Sequence, residues 1–515
     1  MSPAEEKRAA FNQQMNEWVS RQGLWFQLRH AADGQTLVSR ILRVLLRILI
    51  LLGILAFCFW IYLIKRVDSG GFNEKIRLSV ESSLKAEECE MGSFRRERKI
   101  AVLSFAKMKG TDESFFHHLD LRGIRMNMGL TDGFLGPWNA QTLLIDQLDT
   151  KIKAGAGDDA NAAAAFQSFF VEEGGFEFER IECKDTTVTW GYSEHNKGSI
   201  SDSYLIGSRE NEGWRLEFKG GTFQQNWLKS LTIKKMVVLC YPEGVSIQEA
   251  ELVASDGIGT ITFRASIGSG SQPSVRGTMQ FKSMPMQSLL PASFAEWIQG
   301  SISGKGLISG STNSQEGVVM DLDLEFQDDE IVSVRDNIPL FSALTVVDLY
   351  NSYRKVSFNE GSLHIRTGGN LLKISELDLK AGDLLHLRGN VDARLPTHQE
   401  IANALRVSDV EKISDVLEVA WRSGDDEGSG TTALGDNVFK QSVLAEVSVR
   451  RFDGQLELGL KPDAFDKAPR LKTAYPPDPV TNKIWLDVPL EGRLQTLTLK
   501  QAEQLYILGR KAASD

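Results

Sequence analysis

The densest set of residues that could do chemistry lies between Gly300 and Glu325. Gly300-Ser-Ile-Ser-Gly304-Lys305-Gly306 has the outline of a loop that cradles phosphate. Only three residues separate Gly300 from Gly304 where four are needed, and Gly306 stands where a metal-ligating Ser or Thr belongs. The run therefore reads as a glycine-rich turn between strands. Asp321, Asp323 and Glu325 have the spacing of a calcium loop, but Phe326 occupies the position where the sharp turn needs glycine. They read as the polar face of a strand. The seven histidines are scattered; only His117 and His118 adjoin, with no Cys or acid at ligand spacing. No Gly-x-Ser-x-Gly elbow is present, and no cysteine has a nucleophile's surroundings. The sequence thus points to no enzyme, no metal site and no cofactor.

The elements that would position any site are strands. From about Lys99 onward the leading signal is two-residue alternation. Val318, Met320, Leu322, Leu324 and Phe326 alternate with Val319, Asp321, Asp323 and Glu325. Leu385, Leu387, Val391 and Ala393 alternate with His386, Arg388, Asn390 and Asp392, with Gly389 in the apolar phase. Strands of this kind have one apolar and one polar face. Many of them, with Gly and Asp turns between, predict a long antiparallel meander. Two stretches echo each other. Gly244 leads to Arg276-Gly277 and then Pro285; Gly361 leads to Arg388-Gly389 and then Pro396. Each predicts a turn, paired strands, an Arg-Gly strand, a proline and a short helix. Further helices are expected from Phe72 to about Lys85, after the capping-box pair Ser293 and Glu296, from Pro339 to about Tyr350, and from about Lys500 to Leu508. Ala154–Ala165 and Ser423–Asn437 read as flexible.

Ahead of the strands, Ile48–Ile64 carries no charge. Extended through Ile41, Leu42, Val44, Leu45 and Leu46, it gives about 20 apolar residues, enough for a hydrocarbon core of ~30 Å. Arg43 and Arg47 can snorkel at its end. Ile48, Leu52, Leu55, Phe59 and Trp60 are the expected anchor residues. Forty residues precede the run and no small-x-small site follows it, so it does not read as a cleaved leader. Residues 1–47 have seven basic side chains against four acidic, net +3. The whole chain is −10, which leaves −13 for the remainder. A basic flank predicts a cytoplasmic N-terminus with the bulk of the chain on the other side. The acidic remainder excludes nucleic acid as a partner. Residues 1–40 read either as an interfacial amphipathic helix bearing Phe11, Met15, Trp18, Trp25 and Phe26, or as a disordered tail. Cys89, Cys183 and Cys240 allow one disulfide in an oxidising compartment and no disulfide framework.

Leu289-Leu-Pro-Ala-Ser-Phe-Ala-Glu-Trp-Ile-Gln-Gly300-Ser-Ile-Ser-Gly304-Lys-Gly-Leu-Ile-Ser-Gly310 resembles the passage from helix to Gly-rich strand in AsmA-like proteins. So does Pro339-Leu-Phe-Ser-Ala-Leu344, followed by Phe358-Asn-Glu-Gly361-Ser-Leu-His-Ile365 and closed by Leu387-Arg-Gly-Asn-Val391. The resemblance covers roughly residues 41–400 and is best from 285 to 395. It implies an envelope protein of the AsmA/TamB/YhdP kind: held in the inner membrane, projecting into the periplasm, with a β-sheet groove that moves phospholipid and supports outer-membrane integrity. It carries over no catalytic residue. The β region is short for crossing an envelope alone, so a short relative or one part of an assembly with other envelope proteins is expected.

The reading is therefore mainly β: a long twisted antiparallel meander forming a groove or half-barrel, a few short helices, and one preceding transmembrane helix. Its expected divisions are a cytoplasmic segment 1–40, a transmembrane helix 41–64, an AsmA-like β-rich periplasmic region 65–400, a helix and flexible linker 401–436, and strands with a terminal helix 437–515. Leu322, Leu324, Phe326, Leu385, Leu387 and Val391 are the candidate groove-lining residues, with phospholipid the expected ligand. The other reading is a structural or protein-binding envelope component with a closed β core and no lipid cargo.

Overall fold

The computed structural model describes residues 2–23, 25–26, 29, 37–66, 69–129, 138–155, 158–168, 176–193, 196–210, 213–225, 228–290, 297–314, 316–327, 329–335, 338–396, 399–400, 403, 451–493 and 497–509. The expected linker 401–436 and the first part of the expected C-terminal strands, 437–450, lie almost wholly outside the described residues, as do Ser293 and Glu296.

Two helices open the chain. α1 (Pro3–Ser20) has proline at its first position, and Ser2 N donates to Glu5 Oε2 at 2.7 Å. α2 (Leu37–Arg66) is 30 residues, or about 45 Å at 1.5 Å per residue. Its segment Leu42–Lys65 is long and apolar enough to cross a membrane. Ile48, Leu52, Leu55, Phe59 and Trp60 are all exposed, and so are Leu49, Ile50, Leu51 and Ile54 on the other faces, so the helix presents apolar side chains all round. A helix of that kind suits a hydrocarbon surrounding rather than water. α3 (Gly70–Ser83) follows at once, its Phe72 N donating to the Ser69 cap at 3.4 Å. β structure begins only three residues after α3.

The remaining chain is mainly β. The described strands are β1 (Ala86–Met91), β2 (Arg95–Glu97), β3 (Ile100–Gly110), β4 (Phe116–Asn127), β5 (Trp138–Asn139), β6 (Thr142–Ile152), β7 (Phe176–Glu177) and β8 (Arg180–Ser193). Then come β9 (Asn196–Glu210), β10 (Gly213–Lys219), β11 (Thr222–Gln225), β12 (Leu228–Tyr241), β13 (Gly244–Val253), β14 (Thr260–Gly268), β15 (Val275–Pro285) and β16 (Ile298–Gly310). The last are β17 (Val318–Glu325), β18 (Val332–Arg335), β19 (Lys355–Phe358), β20 (Glu360–Gly368), β21 (Leu371–Ala381), β22 (Leu385–Arg394), β23 (Arg451–Leu460) and β24 (Ile484–Arg493). The short helices are α4 (Asp159–Ser168), α5 (Met286–Leu289), α6 (Pro339–Val347), α7 (Pro469–Ala474) and α8 (Leu499–Gly509).

All but β5 and β7 belong to one sheet. Its pairing follows the chain from β3 to β24, antiparallel except that β6 and β8 run parallel. A parallel pair needs a crossover connection, and α4 lies in it. β10 and β11 both bridge β9 and β12, while β18 and β19 branch from β16. Among the described residues β24 pairs only with β23, and β1 and β2 only with β3. No described pairing closes the sheet.

The sheet is nonetheless curled. β6 ends at Ile152, and Ala154 O already accepts a hydrogen bond from Thr312 Oγ1 in the β16–β17 turn. Eight strand-to-strand steps separate β6 from β16, about 38 Å if the sheet were flat. Two residues reach only about 7 Å, so the sheet must roll until those ends meet. Asp159 Oδ1 accepts from Ser271 Oγ at 2.7 Å, and Asn313 Nδ2 donates to Ser271 O at 2.8 Å, fastening the same closure.

Several local expectations change. Ala154–Ala165, expected as flexible, contains the start of α4, because a run of alanines is an inexpensive helix. The Gly300–Gly306 run lies inside β16 rather than in a turn, and Ile298 opens that strand instead of ending a helix. The two echoing stretches are each three successive antiparallel strands, β13–β15 and β20–β22.

Candidate functional site: the apolar face of the curled sheet

Strand register decides which side chains share a face. One cross-strand row runs Met279, Gly306, Leu322, Ile365, Ile374, Val391, Gly454 and Leu490. The next row toward the other strand ends holds Phe281, Gly304 and Leu324. Leu385 pairs with Leu460, which pairs with Ile484; Leu387 pairs with Leu458, which pairs with Leu486. The structure thus brings Leu322, Leu324, Leu385, Leu387 and Val391 onto one apolar face. Phe326 lies just past β17, its N–H directed at Gly361 O at 3.4 Å.

That face is densely filled. Leu322 is 2% exposed, Leu324 1%, Leu385 0% and Val391 9%. Phe326 and Leu387 are half-buried and pack against the same cluster. The cluster is continuous from Phe72 to Leu505 and extends along the whole sheet. Short helices cover parts of it: α6 through Leu340, Phe341 and Leu344, α7 through Leu471, and α8 through Ala502 and Leu505. Elsewhere the sheet covers itself. The rings of Phe223 on β11 and Phe263 on β14 stand 5.7 Å apart across the concave side.

Sequence reasoning missed the end of the sheet nearest α2 and α3. Phe72 of α3, Phe94 and Trp138 form an aromatic cluster with centroids 6.1, 6.0 and 5.8 Å apart. Trp138 is fully buried, and its Nε1 donates to Asn127 O at 2.8 Å. Asn73 Oδ1 accepts from Phe94 N at 2.9 Å, which ties α3 to the sheet. Nothing in the local pattern around Trp138 marks it, since its partners come from distant segments.

The opposite face is polar. His364 sits between Asp321 Oδ1 at 2.7 Å and Asp323 Oδ1 at 2.8 Å. His386 Nε2 approaches Asp378 at 2.8 Å, and Lys234 and Lys235 pair with Glu251 and Glu249. Asp321 and Asp323 are therefore partners of His364 along an outward face, with Asp321 also 3.5 Å from Arg366. A hollow of about 380 Å³ on this side is bordered by Gln280, Lys305, Asp323, Glu325 and His364. A second, of about 420 Å³, lies between α7 and α8 against Pro469, Thr473 and Leu508.

The buried thiols are shielded rather than activated. Cys89, Cys183 and Cys240 are free and buried. Desolvation pushes the Cys240 thiol up to about 12 and that of Cys89 up to about 11. A nucleophilic thiol would need the opposite shift. Among the described residues no group of three or more His, Cys, Asp or Glu is placed to hold a metal ion.

No family model, curated protein or solved structure matches this chain.

Proposed function

We propose that this chain is a single-pass inner-membrane protein, N-terminus cytoplasmic and bulk periplasmic, that binds or conducts phospholipid along the apolar face of its sheet and thereby supports the cell envelope. The observation that carries this reading is the unbroken apolar cluster of a curled sheet that no pairing among the described residues closes, joined to a membrane-length helix with no long tether. Leu387 and Phe326, the half-buried members of this face, are where an acyl chain would lie, and acyl chains need no placed polar partner. The basic flank of α2 and the acidic remainder support the orientation.

A second reading is a structural or protein-binding component whose β core is closed and carries no lipid. The full burial of Leu322, Leu324 and Leu385 and the aromatic cluster at the anchor end favour it.

Lipid mass spectrometry on the purified full-length protein separates the two. Stoichiometric phospholipid that survives extensive delipidation, and is lost when Leu387→Asp is introduced in a protein that still folds, is expected on the first reading. Lipid content no higher than that of the isolated α2 anchor would overturn it. A reporter enzyme fused after Asp515 tests the orientation; activity only in the cytoplasm would contradict it.

A further inference from the structure

α1 stands apart from the rest of the fold. None of its residues is buried, and three large apolar side chains lie in the open: Phe11 at 60% exposure, Met15 at 47% and Trp18 at 51%. At 100° per residue these three fall within roughly 60° of arc, a single stripe along the helix. Trp25 is 84% exposed, and Phe26 packs edge-on against Trp18 at 5.4 Å, extending the same apolar surface.

Charge is sorted around that stripe. Lys7, Arg8 and Arg21 all project within roughly 90° of its centre, whereas Glu5, Glu6 and Glu17 project roughly 110° or more away. A helix exposed to water has no reason to gather its cations beside its apolar side chains and its acids behind. A helix lying in the plane of a bilayer does, because its cations snorkel to headgroups on either side of the buried stripe. Position points the same way. Seventeen peptide steps join Ser20 to Leu37 of α2, a reach of at most about 60 Å. A membrane-spanning α2 therefore keeps α1 within about 60 Å of a leaflet at all times. Most helical stability in proteins comes from packing an amphipathic face, and that surface supplies the packing that α1, with no buried residue, lacks among the described residues.

We propose that α1 is an in-plane interfacial helix. It seats Phe11, Met15 and Trp18 at the boundary between acyl chains and headgroups of the leaflet that holds the N-terminal end of α2. Lys7, Arg8 and Arg21 engage anionic headgroups there. The inference needs α2 to span a bilayer but does not need the sheet to carry lipid.

Spin labels on the full chain test it. The background is Cys58→Ala, in which the remaining cysteines are buried. Met15→Cys places a nitroxide on the stripe and Gln13→Cys places one behind it. The protein is reconstituted into phosphatidylcholine vesicles with and without phosphatidylglycerol. At position 15 collisions with oxygen should exceed those with a water-soluble nickel chelate, and at position 13 the order should reverse. Phe11→Asp with Trp18→Asp should turn position 15 nickel-accessible while the chain stays in the vesicles through α2. Omitting phosphatidylglycerol, or Lys7→Gln with Arg8→Gln, should reduce the contrast between the two positions several-fold. Equal nickel access at both positions would overturn the proposal. So would spin–spin broadening at position 15, which would mean that the stripe pairs with a second copy. A contrast indifferent to phosphatidylglycerol would overturn the anionic-headgroup part.

Discussion

Leu322 lies directly over Gly306: a Cβ at Gly306 would come within 2.6 Å of Leu322 Cδ2, and Leu324 stands in the same relation to Gly304 at 2.8 Å. The two glycines leave the space into which the leucines of the next strand fold, on the face where the candidate lining residues sit. Glycine inside a strand commonly marks such close approach. Gly306→Val should therefore overpack this face and cost about 1–3 kcal/mol. Urea unfolding of the full chain in detergent would measure it. A variant as stable as the parent would show that the interior here is slack.

Glu330 is buried, has no cation partner among the described residues, and is satisfied by hydrogen bonds from Ser303 N at 2.9 Å, Ser303 Oγ at 2.5 Å and Gln327 N at 2.9 Å. It holds the turn after β17 against β16, close to where β16 changes partner from β17 to β18. Glu330→Ala leaves these donors without their acceptor and should cost about 3 kcal/mol. Hydrogen exchange should rise first in β18 and β19. Protection unchanged in both strands would contradict the role assigned to Glu330.

The curl depends in part on ionised Asp159. The Ser271 hydroxyl, and then the Ser271 backbone N–H, hold the Asp159 carboxyl below its usual range near 3.8. A folded-state pKa below the unfolded one gives stabilisation that is complete above the unfolded value and fades as pH falls through the folded value. Contact between the 154–159 segment and the turns at Ser271 and Asn313 should therefore loosen below about pH 4. Asp159→Asn should loosen it at neutral pH. Hydrogen exchange at residues 154–159 reads both effects, and pH-independent protection there would contradict them.

The buried thiols give a chemical check on the packing. With its thiol near 12, Cys240 is about three orders of magnitude less ionised at pH 8 than an unperturbed cysteine near 8.5. Iodoacetamide should leave Cys240 and Cys89 unmodified in the folded chain and alkylate both in urea, as read by peptide mass spectrometry. Rapid alkylation of either in the folded protein would mean that its side of the core is open.

Much of this architecture was legible in the chain, and the misses share a cause. Alternation at 318–326 and 385–393 marks β17 and β22 because each has one solvated face. Pro339 marks the start of α6, and the uncharged run marks α2. The parallel pairing of β6 with β8 was not legible, since it depends on a crossover rather than on either strand's pattern. The Gly300–Gly306 run looked like a turn because its two interior glycines serve Leu322 and Leu324, which lie on another strand. The six candidate lining residues rest on phase alone, and register places five of them on one apolar face. The depth of their burial and the Phe72–Phe94–Trp138 cluster come from tertiary packing that phase does not encode.

The central claim is that acyl chains occupy the apolar face. The most direct measurement is photocrosslinking in intact cells, with a benzophenone side chain at Leu387 or Phe326, the half-buried members of the set. Outward-facing Lys380 serves as the negative control and Phe59 of α2 as the positive one. The account predicts phospholipid adducts at Leu387, Phe326 and Phe59 and none at Lys380. Adducts at Phe59 alone would contradict it and leave the closed-core reading in its place.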